Sequence, residues 1–328
     1  MKKKKLTVCA NVVTFNRKEL LLECLSALLS QTRKPDAIYI IDNASTDNTE
    51  CILKSSGYIE MLPPKVLTEC WHVCKNFDGV LINYVKMVEN MGGSGGQYEG
   101  MKRAYDDGYD WIWIMDDDGY PVKDCLMNLL KHSSSGDFLA ALVVDKLNTA
   151  NLTFGFYNPE DNKMISTTKQ ACEISKDGEI FGVAQPFNGV MLNRTLVEKI
   201  GFPKRDMFIW GDEMEYLARA KHHKARLITV VSSLHKHPVA KVRLNKTLFG
   251  WKHVKYTGVK LKDYCYFRNT AYWTKKYSIM TLFKMFFLYS YFFVVTRLLD
   301  INGYVFFLKA YCDGMIGRFD KHRQYLPK

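Results

Sequence analysis

Trp111-Ile-Trp-Ile-Met-Asp-Asp-Asp118 decides how this chain of 328 residues is built. Its five leading residues are apolar, too short a run for a helix, and they suit a strand buried in a parallel sheet. The run passes without a spacer into three carboxylates. In extended backbone Asp116 and Asp118 point to one side and Asp117 to the other. Two carboxylates facing one place suit a hard divalent cation, Mg²⁺ or Mn²⁺, which takes oxygen ligands and keeps positions open for substrate phosphates. Taken alone, the same three residues also fit a solvated acidic turn.

Upstream segments supply the rest of the sheet. Residues 6–14, 37–42 and 81–88 have strand patterns, and residues 18–30, 46–56 and 97–107 have helical ones. This alternation predicts an α/β fold with a mostly parallel sheet. Ligands of such sheets bind beyond the carboxyl ends of the strands. Polar clusters stand at four of those ends: Asn16-Arg17, Asp42-Asn43, Glu89-Asn90 and the aspartate run. Residues 138–184 suit an antiparallel or loop-rich section. Order returns over residues 186–193, and a helix at 195–200, an acidic helix at 211–221 and an apolar strand at 227–231 follow.

Three further motifs bear on chemistry. Asn90-Met-Gly-Gly-Ser-Gly-Gly96 puts Gly92, Gly93, Gly95 and Gly96 ahead of a helix, where backbone amides can approach an anion; a flexible connection is the alternative. It matches neither a dinucleotide fingerprint nor a Walker loop. Trp210-Gly-Asp-Glu-Met-Glu-Tyr216 places Asp212 and Glu213 in a first helical turn, suited to a base or simply to the helix dipole. Glu215 is expected to pair with Arg219. His235-Lys-His237 offers an imidazole for a metal or phosphate, although a lone histidine is more often neither.

The net charge of +12 is uneven: residues 221–328 hold 21 Lys and Arg against 4 Asp and Glu. That tail is also aromatic. Residues 285–296 lack charge but fall short of the about 20 apolar residues of a spanning helix, so an interfacial or core helix is expected. Phe286, Phe287, Phe292 and Phe293 are expected either to enter a membrane interface or to pack in a homo-oligomer. The nine scattered cysteines lack zinc spacing and suit reduced thiols in a cytoplasmic protein, and the lysine-rich start lacks a secretory pattern.

Five stretches in order, Val-Thr-Phe-Asn-Arg (13–17), Ile-Asp-Asn-Ala-Ser-Thr-Asp (41–47), the glycine run, Met-Asp-Asp-Asp (115–118) and Trp-Gly-Asp-Glu (210–213), together resemble the family-two nucleotide-sugar glycosyltransferases, with bacterial galactofuranosyl- and rhamnosyltransferases most similar. The resemblance implies a GT-A fold, a Rossmann-like mixed sheet flanked by helices, over residues 1–240, with a donor half to about 120. A mainly helical extension occupies residues 241–328. It implies a UDP- or dTDP-sugar donor, Mn²⁺ or Mg²⁺, and an acceptor that is a glycan or lipid-diphosphate at the inner face of the membrane.

By the same resemblance Thr14, Asn16, Arg17, Asp42, Asn90, the four glycines, Asp116, Asp117 and Trp210 bind the donor. Asp116, Asp118 and His235 hold metal, with His237 an alternative to His235. Glu213 is the base beside Asp212, although many relatives have aspartate at the Glu213 position. Arg268-Asn269 also resembles a pair in these relatives and has no assigned chemistry. The expected reaction is an in-line displacement that inverts the anomeric carbon. A nucleotidyltransferase lacks support in any basic glycine-rich loop after the first strand. Nucleic-acid binding by the tail would leave the five motifs unexplained, and no nucleic-acid partner is expected.

Overall fold

The computed structural model describes residues 5–239 and 244–326. By packing these form two units, residues 5–205 with 223–239, and residues 206–222 with 244–326.

The first unit contains strands β1 (Val8–Thr14), β2 (Ala37–Asp42), β3 (Trp71–Phe77), β4 (Val80–Lys86), β5 (Trp111–Asp116), β6 (Tyr120–Pro121), β7 (Phe138–Asp145), β8 (Asn151–Tyr157), β9 (Met164–Thr167), β10 (Glu179–Phe181), β11 (Asn188–Asn193) and β12 (Leu227–His237). Its helices are α1 (Lys18–Leu29), α2 (Thr49–Ser55), α3 (Gly92–Asp106), α4 (Cys125–Lys131), α5 (Thr168–Ile174) and α6 (Arg194–Ile200). The main path of the sheet runs β10-β12-β7-β11-β5-β1-β2-β4-β3. Neighbours from β4 through β2 and β1 to β5 are parallel, and β11 lies antiparallel between β5 and β7. This is the expected mixed sheet flanked by helices. β1 is buried along its whole length, as its apolar sequence requires. Its register sets Thr14 beside Asp42 and Val13 beside Asp116, so three strand ends meet at one edge.

Three elements differ from their sequence patterns. β3 had no clear strand signal because it is an edge strand whose residues alternate between half-buried and exposed. It joins β4 through Asp78-Gly79, both at positive φ, the two-residue turn of a tight hairpin. β12 continues to His237 instead of ending at Val231, after a register shift between Val230 and Leu234.

The third difference concerns the glycines. α3 starts at Gly92, so the glycines form its first turns rather than a loop before it. A Cβ on Gly96 would lie 2.5 Å from Val13 Cγ1, and one on Gly100 would lie 1.7 Å from Asn11 Oδ1. These residues bring the helix onto β1. Gly93, by contrast, faces open space.

The second unit holds α7 (Asp212–His222), a hairpin of β13 (Leu244–Thr247) and β14 (Lys252–Lys255), α8 (Lys260–Tyr277), α9 (Ile279–Tyr291) and α10 (Ile301–Ile316). α9 runs on into a π-helical turn, Phe292–Thr296. Its inner face, with Leu282, Met285, Tyr289, Phe292 and Phe293, packs against Phe267 and Phe307. Phe292 and Phe293 are therefore core residues, Phe286 is half-buried, and Phe287 alone of the four is exposed. Ile279–Thr296 is long and apolar enough by composition to cross a membrane, with a mean hydropathy of 1.6 over 18 residues. The helix is longer than the sequence count because it runs past Lys284.

Gly100→Ala is expected to lower stability by about 1–3 kcal/mol through overpacking on Asn11. Gly93→Ala, in open space within a helix, should change it by less than about 1 kcal/mol. Urea unfolding midpoints of the two variants check the contrast.

Candidate active site

The aspartate run leaves the end of β5 into a network that separates its three charges. Asp117 is buried; its Oδ2 accepts from Thr14 Oγ1 at 2.7 Å and its Oδ1 from Arg17 at 3.2 Å. Asp116 Oδ1 accepts from Gln97 Nε2 at 3.1 Å, and Gln97 Oε1 accepts in turn from Asn11. Asp118 Oδ2 accepts from Arg17 at 2.8 Å, and its Oδ1 lies 3.2 Å from His237 Nε2.

Burial, followed by the charges of Asp118 and Asp117, pushes Asp116 up to about 7. Burial likewise raises Asp117 to about 6, against the pull of Thr14 and Arg17. Burial also opposes ionisation of Asp118, but His237 and Arg17 outweigh it and hold this carboxyl below its ordinary value. Asp118 is thus the member of the run most firmly ionised.

The two histidines of β12 have different surroundings. His235 is fully buried, with neither ring nitrogen hydrogen-bonded, and burial pushes it down to about 3. Its ring lies where Cβ atoms on Gly119 or Gly189 would come within 2.5 Å and 2.7 Å, so both glycines make room for it. His237 Nδ1 donates to the Pro238 carbonyl at 2.7 Å, which turns Nε2 toward Asp118. The sequence favoured His235 for the metal; the geometry puts His237 beside the carboxylate.

The turns beyond β1 and β2 are tied together by the residues expected to meet the nucleotide. Asp42 is fully buried and accepts from Tyr84 Oη at 2.6 Å and from the Ser45 amide at 2.7 Å, with Lys86 Nζ 3.2 Å away. Asn16 Oδ1 accepts from the Thr46 amide, and the Asn16 amide donates to Ser45 Oγ. Asn43, unremarked in the sequence beyond its place in a motif, bonds the Met91 amide and the Gly92 carbonyl, both at 2.8 Å. Asn90 Oδ1 accepts from the Gly92 amide. A cavity of about 450 Å³ opens beside this turn, lined by Ser45, Glu50, Lys86, Met87 and the 62–67 segment. None of the three aspartates lines it.

Within the second unit, the acidic helix is entered through a strained turn. Phe208, Trp210 and Gly211 all have positive φ, a conformation that costs bulky residues of order 1–3 kcal/mol each. Asn269 holds this turn: its Nδ2 donates to the carbonyls of Met207, Ile209 and Trp210 at 2.8–3.0 Å. Fully buried Arg268 donates to the Met207 carbonyl at 2.7 Å and to Asn269 Oδ1 at 2.9 Å. A Cβ on Gly211 would meet Asn269 Cβ at 3.0 Å.

The turn presents buried Asp212 and half-buried Glu213 at the start of α7, with Glu213 Oε2 accepting from the Gly211 amide at 2.8 Å. Lys255 Nζ sits 3.5 Å from the Trp210 ring centroid. Burial lowers the Lys255 pKa while Glu213 counters it. Glu215 pairs with Arg219, the structural role expected of it. Arg268 and Asn269, without assigned chemistry in the sequence, form a clamp on the loop that carries the acids.

Asn269→Ala removes the side-chain donor of the Ile209 and Trp210 carbonyls, while the Met207 carbonyl keeps Arg268, and is expected to cost about 1–3 kcal/mol. Thermal unfolding of Asn269→Ala beside Asn269→Gln reads it, with the longer amide restoring part of the loss.

The model of "Glycosyl transferase family 2" matches residues 9–62 and 68–189, more than half of the chain. A galactofuranosyltransferase, GlfT1, of Mycolicibacterium smegmatis is 26% identical over 295 residues, 88% of this chain and 90% of that protein. The GlfT1 of Mycobacterium tuberculosis is 26% identical over 305 residues, covering 89% and 90%. A crystal structure of GalNAc-T7 with UDP, GalNAc and Mn²⁺ shares the fold, with a TM-score of 0.52 at 14% identity; the match covers 84% of this chain and 49% of that one. With its motifs, its mixed sheet and this match in agreement, the chain belongs to glycosyl transferase family 2.

Proposed function

We propose that the protein moves galactofuranose, with rhamnose the alternative sugar, from a UDP- or dTDP-linked donor to a hydroxyl of a glycan or lipid-diphosphate-linked acceptor, with inversion. The observation that carries the reading is Asp118, held ionised between Arg17 and His237 at a strand end. The two mycobacterial galactofuranosyltransferases, aligned over nearly the full chain, support the choice of sugar.

The residues fit a divalent ion. Among the described residues no group of three or more His, Cys, Asp or Glu is placed to hold a metal ion. Mg²⁺ and Mn²⁺ do not need one, since one or two carboxylates and the substrate phosphates commonly serve. Asp118, with His237 beside it, would hold the ion together with the donor's phosphates, and the GalNAc-T7 structure that shares this fold has UDP and Mn²⁺. When bound, such an ion neutralises charge gathering on the departing diphosphate.

The remaining work falls to side chains. The cavity beside Ser45 and Lys86 receives the nucleoside, close to the turn that Asp42 and Asn16 brace. Asp117, bonded to Thr14 and Arg17, fixes the spacing of its two neighbours. Glu213, with Asp212 as the alternative, takes the proton of the attacking hydroxyl, which commonly contributes about 10²- to 10⁴-fold. Negative charge at the start of α7 is favoured by the helix dipole.

A thermal-shift panel of UDP-, dTDP- and GDP-sugars, with and without Mn²⁺, tests donor and metal together. One uridine or thymidine donor should raise the melting temperature only when metal is present. No response to any donor would refute the reading. Glu213→Gln should lower kcat by about 10²- to 10⁴-fold with donor affinity unchanged. A loss confined to Asp212→Asn would transfer the base to Asp212.

A further inference from the structure

We infer that the second unit carries a membrane-docking surface, formed by the tip of the β13–β14 hairpin and the turn after α9, that inserts into an anionic lipid bilayer. At the hairpin tip Phe249 is 96% exposed and Trp251 88% exposed. After the π-helical turn Leu298 is 87% and Leu299 65% exposed, followed by Ile301 at 67%. The two segments are some fifty residues apart in sequence and are brought together where Thr247 Oγ1 and Thr296 Oγ1 lie 2.7 Å apart. Two separate stretches of chain that meet at this contact each carry exposed apolar groups. Apolar groups this exposed and this clustered mark an interaction site.

The backbone holds these side chains outward at a cost. Phe249 (φ 56), Leu298 (φ 50) and Leu299 (φ 61) all occupy the left-handed region, which bulky residues avoid by about 1–2 kcal/mol each. A chain selected only for its own stability would bury them or replace them with glycine.

Charge and packing choose the occupant. Lys246 and Lys252 flank the tip, exposed, and the stretch from 221 to 328 has 21 Lys and Arg against 4 Asp and Glu. A two-fold contact between copies would bring these like-charged rims together, whereas an anionic lipid surface complements them. Trp and Phe side chains suit the interfacial layer of a bilayer. Crossing the bilayer is disfavoured although α9 is apolar enough. Its inner face packs on α8, which carries buried Asp263, Arg268 and Asn269 and runs alongside α10. The outer face of α9, with Phe283 and Phe287 exposed, can lie in the interface while the inner face stays packed.

Co-sedimentation of the full chain with phosphatidylcholine vesicles, with and without phosphatidylglycerol, tests the inference. The protein should partition onto the anionic vesicles. Phe249→Ser/Trp251→Ser and Leu298→Ser/Leu299→Ser should each weaken that partition by at least about tenfold. Their melting temperatures and donor-induced thermal shifts should stay unchanged, since none of the four residues belongs to the packed core. Partition that is unaltered in both variants, or equal on vesicles without phosphatidylglycerol, overturns the inference. So does sedimentation equilibrium showing a dimer that the substitutions dissolve while wild type ignores vesicles. The sugar-transfer reading stands or falls separately on the donor panel.

Discussion

Three adjacent carboxylates at the end of a buried strand repel one another, and the first unit is arranged around that repulsion. Arg17, at the start of α1, lies between Asp117 and Asp118, Thr14 bonds Asp117, Gln97 of α3 bonds Asp116, and His237 approaches Asp118 from β12. Four elements, from three separate parts of the sequence, each give one side chain to one run. The outcome is unequal: burial lifts Asp116 and Asp117, while Arg17 and His237 keep Asp118 charged. On the proposed reading, a site that receives a donor diphosphate would gain from this inequality, because one fixed anion would suffice to recruit a metal while its neighbours add less repulsion.

Close approach is the second constraint, and glycine satisfies it at each critical contact. Gly96 and Gly100 seat α3 on β1, Gly119 and Gly189 leave room for the His235 ring, and Gly211 lets the acidic turn rest on Asn269. In the second unit Gly314 brings α10 against α8, where a Cβ would stand 2.1 Å from the Arg268 carbonyl. The glycine run that suggested an anion loop is thus largely a packing device, with Gly92 and Gly93 left at the helix start. The same residue type meets two needs, and composition alone does not separate them.

Much of the fold was legible because its central strands are buried on both faces and are apolar but for Asn11 and their last residues. β1, β2 and β5 appear in the sequence nearly as they do in space, and so does the aspartate run at the last of them. β3 was not legible, since an edge strand with one wet face has no sustained pattern, although Asp78-Gly79 marked its hairpin. The histidines were separable only in three dimensions: two residues on one strand share a face in principle, yet one is sealed under glycines and the other meets Asp118. Arg268-Asn269 was visible as a motif and opaque as chemistry, because its partners are backbone carbonyls some sixty residues away. Hydrogen bonds to backbone leave no trace in the partner's residue type.

The account rests on Asp118 as the fixed anion that binds a divalent ion together with the donor diphosphate. Titrating Mn²⁺ against the protein and following the free-ion signal by electron paramagnetic resonance examines that most directly. The account predicts that a UDP-sugar and the protein together deplete free Mn²⁺ beyond what either does alone, and that Asp118→Asn abolishes the excess. Equal depletion by wild type and Asp118→Asn, or none by wild type, would contradict it.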